Sequence, residues 1–214
     1  MAETKEQSKQ KKESKKQAPQ TSAHGMYYYM SRAWRKPSSE NIVELRKKMI
    51  DWRAGNVITK LEHPTRLDRA RTLGYKAKKG FLVFRVIVNR GGRHNPKANG
   101  NRRTHRASLM KILRMNYRWV AEQRLQRAHV NLEVLNSYLI GKDGKHYFFE
   151  VIAVDRNAPE IKNNPDFAWI NSRTNKFRAL RGLTSAGRKS RGMRTKSRNL
   201  KVRPSLRAWH RRGR

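Results

Sequence analysis

The chain reads as an α+β protein: a small core with an antiparallel sheet, in the order strand–helix–strand–strand, joined to long basic extensions of mostly irregular chain. Three observations carry this reading. Aromatic and β-branched residues gather in short runs at 81–88, 133–140 and 146–154, which is the composition of strands. Asp143-Gly144 stands between the last two runs and signals a hairpin, so those strands are antiparallel. Finally, 52 Lys and Arg stand against 15 Asp and Glu in 214 residues, a net charge of +37, while hydrophobic residues make up only 36%. That apolar share is below the roughly 45–50% usual in globular domains on a count that includes Gly, so the core must be small.

Taken in order, residues 1–24 hold 6 Lys and 3 Glu among Gln and Ser. With almost nothing apolar to bury, this tail is expected to stay disordered when free. Residues 25–64 form an aromatic and basic helical segment. It opens on Tyr27, Tyr28, Tyr29 and Trp34 with Arg32, Arg35 and Lys36 interleaved. That mixture suits stacking on RNA bases or one aromatic face turned to a core. Pro37 breaks the segment, and Ser38, Ser39 and Glu40 suit a new helix start. Ile42, Leu45, Met49 and Trp52 then share one helical face.

The core spans 65–166. Thr65-Arg66-Leu67-Asp68 has the capping-box pattern and Gly74 the position of a helix stop. After the basic turn Tyr75–Gly80 comes the first strand, 81–88, with Arg85 inside it, ended by Gly91-Gly92. Residues 90–106 are a loop dense in Arg, Asn and Gly. Leu109, Leu113, Tyr117 and Val120 predict a helix of about five turns from Ser108. The strands 133–140 and 146–154 follow, with a type I′ turn at Asp143-Gly144. The last strand is apolar on both faces, Phe148 and Ile152 on one and Phe149 and Val151 on the other, so the sheet is expected to be covered on both sides. Asn164-Pro165 begins a short turn or helix with Phe167 and Trp169. Residues 167–214 form a basic extension.

The charge is segregated. Residues 69–121 hold 15 Lys and Arg with no acid, and 167–214 hold 16 with none. Solvated surfaces normally mix both signs, so tracts of one sign call for a polyanion. A lipid surface would need a basic amphipathic helix, whereas Gly182, Gly187 and Gly192 punctuate the second tract. No apolar run approaches the roughly 18–20 residues of a bilayer span, and residues 1–24 do not resemble a secretory leader. With no cysteine, disulfides, thiolate metal sites and cysteine nucleophiles are excluded. An intracellular protein fits this pattern.

Signals for catalysis fail on inspection. Gly182–Ser190 looks like a phosphate-binding loop, but Arg188 separates the second Gly from Lys189 and no buried strand precedes it. Of the seven His, none pairs with another at metal-ligand spacing. The acids are too scattered for a paired-carboxylate site. No enzymatic activity and no cofactor are expected.

Five separated blocks, in order, resemble the archaeal and eukaryotic 15e family of large-subunit ribosomal proteins. They are the aromatic–basic opening Met26–Pro37, then Tyr75-Lys76-Ala77-Lys78-Lys79-Gly80 running to Arg90-Gly91-Gly92-Arg93, then Leu135-Asn136-Ser137-Tyr138, Phe148-Phe149-Glu150-Val151 and Arg181–Gly192. The likeness covers about 25–214 and is nearer the shorter, archaeal form, departing from it at Leu139 and Lys142. It implies a structural constituent of the cytoplasmic ribosome, its extensions threaded through large-subunit ribosomal RNA beside neighbouring ribosomal proteins. No membrane, small-molecule substrate or homo-oligomer is implied, and any structural Mg2+ or K+ would belong to the RNA.

The cations expected to meet RNA are Lys76, Lys78, Lys79, Arg90, Arg93, Arg102, Arg103 and Arg106 in the first tract. In the second they are Arg181, Arg188, Lys189, Arg191, Arg194 and Arg198. Neutralising crowded phosphates releases counterions. Arg adds a planar fork matched to phosphate, and Gly lets backbone approach closely. On this view the tracts take their shape against RNA while the mixed-charge middle folds alone. Composition by itself also permits a DNA-compacting protein, which would prefer duplex DNA, or an RNA-modifying module, which would need a cofactor or acid–base constellation.

Overall fold

A computed structural model of the protein describes residues 24–94, 100, 110–111 and 113–194. The chain divides into two compact units, residues 1–38 and 39–214. The first contains helix α1 (Met26–Arg35), which buries none of its residues. Its tyrosines are exposed; Tyr28 and Tyr29 meet edge to face at 5.6 Å, and the His24 ring lies 3.8 Å from Tyr28.

The second unit is built on a four-stranded antiparallel sheet. Its strands are β1 (Ile58–Leu61), β2 (Phe81–Asn89), β5 (Leu132–Lys142) and β6 (His146–Asp155), ordered β1-β2-β6-β5. A separate two-residue pair joins β3 (Arg93–His94) to β4 (Met110–Lys111). The expected α+β class and antiparallel hairpin are present. The edge strand β1 is an addition: Ile-Thr-Lys-Leu is too short to show alternation, and its pairing with Val83–Val86 defines it.

Both faces of the sheet are covered. Helix α4 (Tyr117–Ala128) lies on one, where Leu125 and Ala121 pack with Phe84, Val86, Val134, Phe149 and Val151. On the other, Trp52 meets Phe148 edge-on at 5.4 Å and Phe81 sits between Tyr75 and Phe167. Burying one such side chain stabilises the fold by roughly 1.5–3 kcal/mol. Trp52 closes helix α2 (Ser39–Ala54), whose expected apolar face reaches the core only at that end. Leu45 and Met49 are half-buried, and Ile42 is exposed.

Four local expectations need correction. The helix predicted from Ser108 begins at Tyr117. Residues 110–111 are strand, Arg114 has φ +53°, and Asn116 caps the helix by accepting the Trp119 N–H at 2.7 Å; residues 101–109 and 112 lie outside the described residues. The capping box at Thr65 does not form. Helix α3 (Leu67–Thr72) has Arg66 as its N-cap without a side-chain bond, and the Thr65 N–H donates instead to buried Glu150 at 3.1 Å. Asp68 is taken by Arg66, 3.3 Å away. Neither Asp143 nor Gly144 has positive φ, so the hairpin turn is not type I′. The Asp143 carboxylate accepts the Lys145 and His146 N–H groups and sets the turn itself.

The fourth concerns the C-terminal stretch, which is folded as far as residue 194. It carries α5 (Pro159–Lys162) just before it, then α6 (Ala168–Asn171) and α7 (Ser185–Ser190), with short 3-10 turns at Pro165–Phe167 and Arg173–Asn175. The reason is that two buried glutamates of the core bind it. Two local expectations stand. Asn164 caps the turn at Pro165. Gly74 (φ +98°) ends α3, its N–H donating to the Arg71 carbonyl while the Tyr75 N–H reaches Ala70, the paired bonds of a Schellman stop.

Candidate nucleic-acid interface

Glu133 of β5 and Glu122 of α4 are 1% and 0% exposed. Glu133 accepts the Phe177 N–H at 2.7 Å and the Arg178 N–H at 3.4 Å. Glu122 accepts the Ser137 and Thr184 hydroxyls, each at 2.5 Å. Unpaired, such groups would cost several kcal/mol in the interior, so these bonds fix where segment 177–184 can lie. The indole N–H of Trp119 donates to the Ala179 carbonyl at 2.6 Å, and Asn116 Nδ2 donates to Ala186 O at 3.0 Å. Thr184 caps α7, accepting the Gly187 N–H. A Cβ on Gly187 would come within 2.6 Å of Gly182 Cα. Only a bare backbone allows that approach.

This scaffold presents arginines. A groove of about 410 Å³ is lined by Arg178, Arg188 and Arg194 with Asn136 and Ser185. Arg178 Nη1 donates to Val134 O at 3.1 Å and Arg194 Nη1 to Ser185 Oγ at 2.8 Å. Beside them Arg118 Nε donates to Ser137 Oγ at 2.8 Å, and its Nη2 to Asn136 Oδ1. Burial pulls the pKa of Arg178 below the usual guanidinium value; Glu133 and Glu122 oppose this, and Arg188 and Arg181 add to it. Arg118 is lowered likewise, by burial first, with Arg69 and Arg194 contributing. The cations therefore feel one another, while the acids that attract them face inward. Glu122 itself is raised by burial, against the bonds from Ser137 and Thr184 and the charges of Arg118 and Arg178.

The sequence-predicted cations divide into four groups. Arg181, Arg188, Lys189, Arg191 and Arg194 fall on or next to this scaffold. Of these Arg191 is used structurally, donating to Gly182 O at 3.2 Å, and Arg181 donates to the Lys176 and Thr174 carbonyls. Lys78 and Lys79 are exposed in the turn before β2. Lys76 is held by Asp166 at 2.6 Å and lies over the Phe167 ring. Arg90 donates to Asp143 O at 2.5 Å and lies over Tyr147. Arg93 has its backbone in β3, and its side chain lies outside the described residues, as do Arg102, Arg103, Arg106 and Arg198 entirely. Arg118 and Arg178 were not expected. Each reads locally as an ordinary helix or loop cation; Glu133, accepting the Arg178 backbone N–H, seats Arg178 at the groove, and Arg118 stands 4.0 Å from Glu122.

Among the described residues no group of three or more His, Cys, Asp or Glu is placed to hold a metal, and no helix is long and apolar enough to cross a membrane. Fold and surface together define a basic α+β protein whose buried acids serve to hold cations in place. Residues 25–209 match a family model described as Ribosomal L15, and the chain belongs to that family, the 15e ribosomal proteins. It is accordingly a structural protein of the large ribosomal subunit.

Proposed function

We propose that the protein binds folded large-subunit ribosomal RNA and stabilises it through Lys- and Arg-rich surfaces, without catalysis and without a cofactor of its own. Any Mg2+ or K+ at the interface belongs to the RNA. Its place is the cytoplasmic ribosome of an archaeon-like cell, as one copy beside other large-subunit proteins. The observation that carries this is the groove of Arg178, Arg188 and Arg194, whose neighbouring carboxylates are turned into the core. Positive charge is thereby fixed outward, where a phosphate backbone can neutralise it. The exposed tyrosines of α1, with Arg32 and Arg35 in its last turn and no acid in its first, favour base stacking over a core-facing role.

Two measurements test the reading. In a sucrose gradient of cell lysate, the protein should sediment stoichiometrically with the large subunit. In filter binding, structured large-subunit RNA should compete better than an equal mass of duplex DNA. Absence from the large-subunit peak, or preference for the duplex, overturns it.

A further inference from the structure

The groove supports something narrower than a collective of cations. Three features set it apart from the rest of the basic surface. It is preassembled: Glu133 bonds the backbone at 177 and 178, Glu122 bonds Thr184, and Gly187 lies directly against Gly182. It lacks direct ion pairs: among the described residues, no guanidinium of Arg178, Arg188 or Arg194 has a carboxylate oxygen within ion-pair distance, and buried Glu133 and Glu122 act on Arg178 only from further away. It also mixes forked cations with neutral polar groups, Ser185 and Asn136 lining it beside the arginines. A second basic groove, lined by Arg156, Lys162 and Lys176, differs on the second point. There Arg156 is 3.9 Å from Glu133 and donates to Asn171 O at 2.8 Å, so its guanidinium is engaged in holding the fold.

We infer that the groove of Arg178, Arg188 and Arg194 is a discrete site for a single internal RNA phosphodiester, held by forked arginine contacts. This rests on the RNA-binding role proposed above and makes it local. Arg188 and Arg194, both exposed, grip the two non-bridging oxygens. Arg178, anchored on Val134 O, supplies charge from below. Guanidinium forks suit this geometry better than ammonium groups. Because Arg178 and Arg194 are already held by Val134 O and Ser185 Oγ, they lose little side-chain freedom on binding. The mutual repulsion of the arginines is relieved when the phosphate enters.

The test compares full-length wild type with R188Q/R194Q and with K78Q/K79Q on large-subunit ribosomal RNA. Affinity is measured across a salt series, and phosphate ethylation interference is mapped for each protein. The urea midpoint of each variant checks folding, and R188K/R194K separates charge from fork geometry. R188Q/R194Q should weaken binding at least about a hundredfold, since it removes two bonds to charged groups of about 1.5–3 kcal/mol each, and should abolish interference at one phosphate. R188K/R194K should recover the salt slope but not the full affinity. K78Q/K79Q should lower the salt slope by about 0.7–0.9 per lost contact and leave that phosphate's interference intact. If R188Q/R194Q behaves like K78Q/K79Q, with an unchanged interference map, the discrete site is refuted while RNA binding stands. If the wild type does not bind the RNA, both readings fall.

Discussion

At Glu122, both carboxylate oxygens are occupied by hydroxyls in a fully buried setting, and burial dominates its titration. Its folded pKa lies above the ordinary 4.5. Between 4.5 and that raised value the folded protein holds a proton that the unfolded chain has released. Stability contributed by this group therefore falls as pH rises through the window. E122Q removes the titration. The stability difference between wild type and E122Q, from urea unfolding, should shift in favour of wild type on going from pH 7 to pH 5, and a pH-independent difference would contradict the assignment. At Glu133 the carboxylate is the partner of two backbone amides, with Arg156 at 3.9 Å. E133A leaves these unmatched and should cost about 3–5 kcal/mol, read as a drop in urea midpoint.

Asn116 joins α4 to α7 through Ala186, and Gly187 seats α7 against Gly182; each allows a test at the level of an element. Asn116 caps α4 with its oxygen and reaches Ala186 with its amide. N116A should cost about 2 kcal/mol, about one for the cap and one for the other bond. N116D, which keeps the cap alone, should fall between. At Gly187, alanine would gain up to about 1 kcal/mol of helix propensity but force a Cβ to 2.6 Å from Gly182 Cα. Overpacking costs about 1–3 kcal/mol and the obstacle is backbone, so G187A should lower Tm while G144A, which meets nothing within 4 Å, leaves it nearly unchanged.

The strands β2, β5 and β6 were legible because their composition is local. The hairpin was legible from Asp143-Gly144 although its turn type was not, since the Asp143 side chain bonds the turn's own N–H groups. The start of α4 was misplaced because Leu109 and Leu113 continue its period by chance, while Asn116 carried the true signal. Arg118, Arg178 and the buried glutamates could not be read, because burial and pairing across 44 residues of sequence are tertiary facts.

In the second unit, the buried acids Asp68, Glu122, Glu133 and Glu150 lie within or against a sheet closed by long-range pairings such as Phe81 with Val154. The stretch 177–191 belongs to that ordered whole. In RNA-free protein, trypsin should cut after Arg181, Arg188 and Arg191 no faster than after exposed Arg124 of α4; much faster cleavage there would mean the segment opens independently. The topology also sets a schedule for biosynthesis. Glu122 and Glu133 are made long before Phe177 and Thr184, which donate hydrogen bonds to them. A nascent chain halted short of Phe177 would leave Glu133 without its two backbone amides and Glu122 without one of its two hydroxyls. Maturation of this polypeptide must therefore wait on its last third, and truncated products from stalled synthesis should be quality-control substrates rather than partly working subunits.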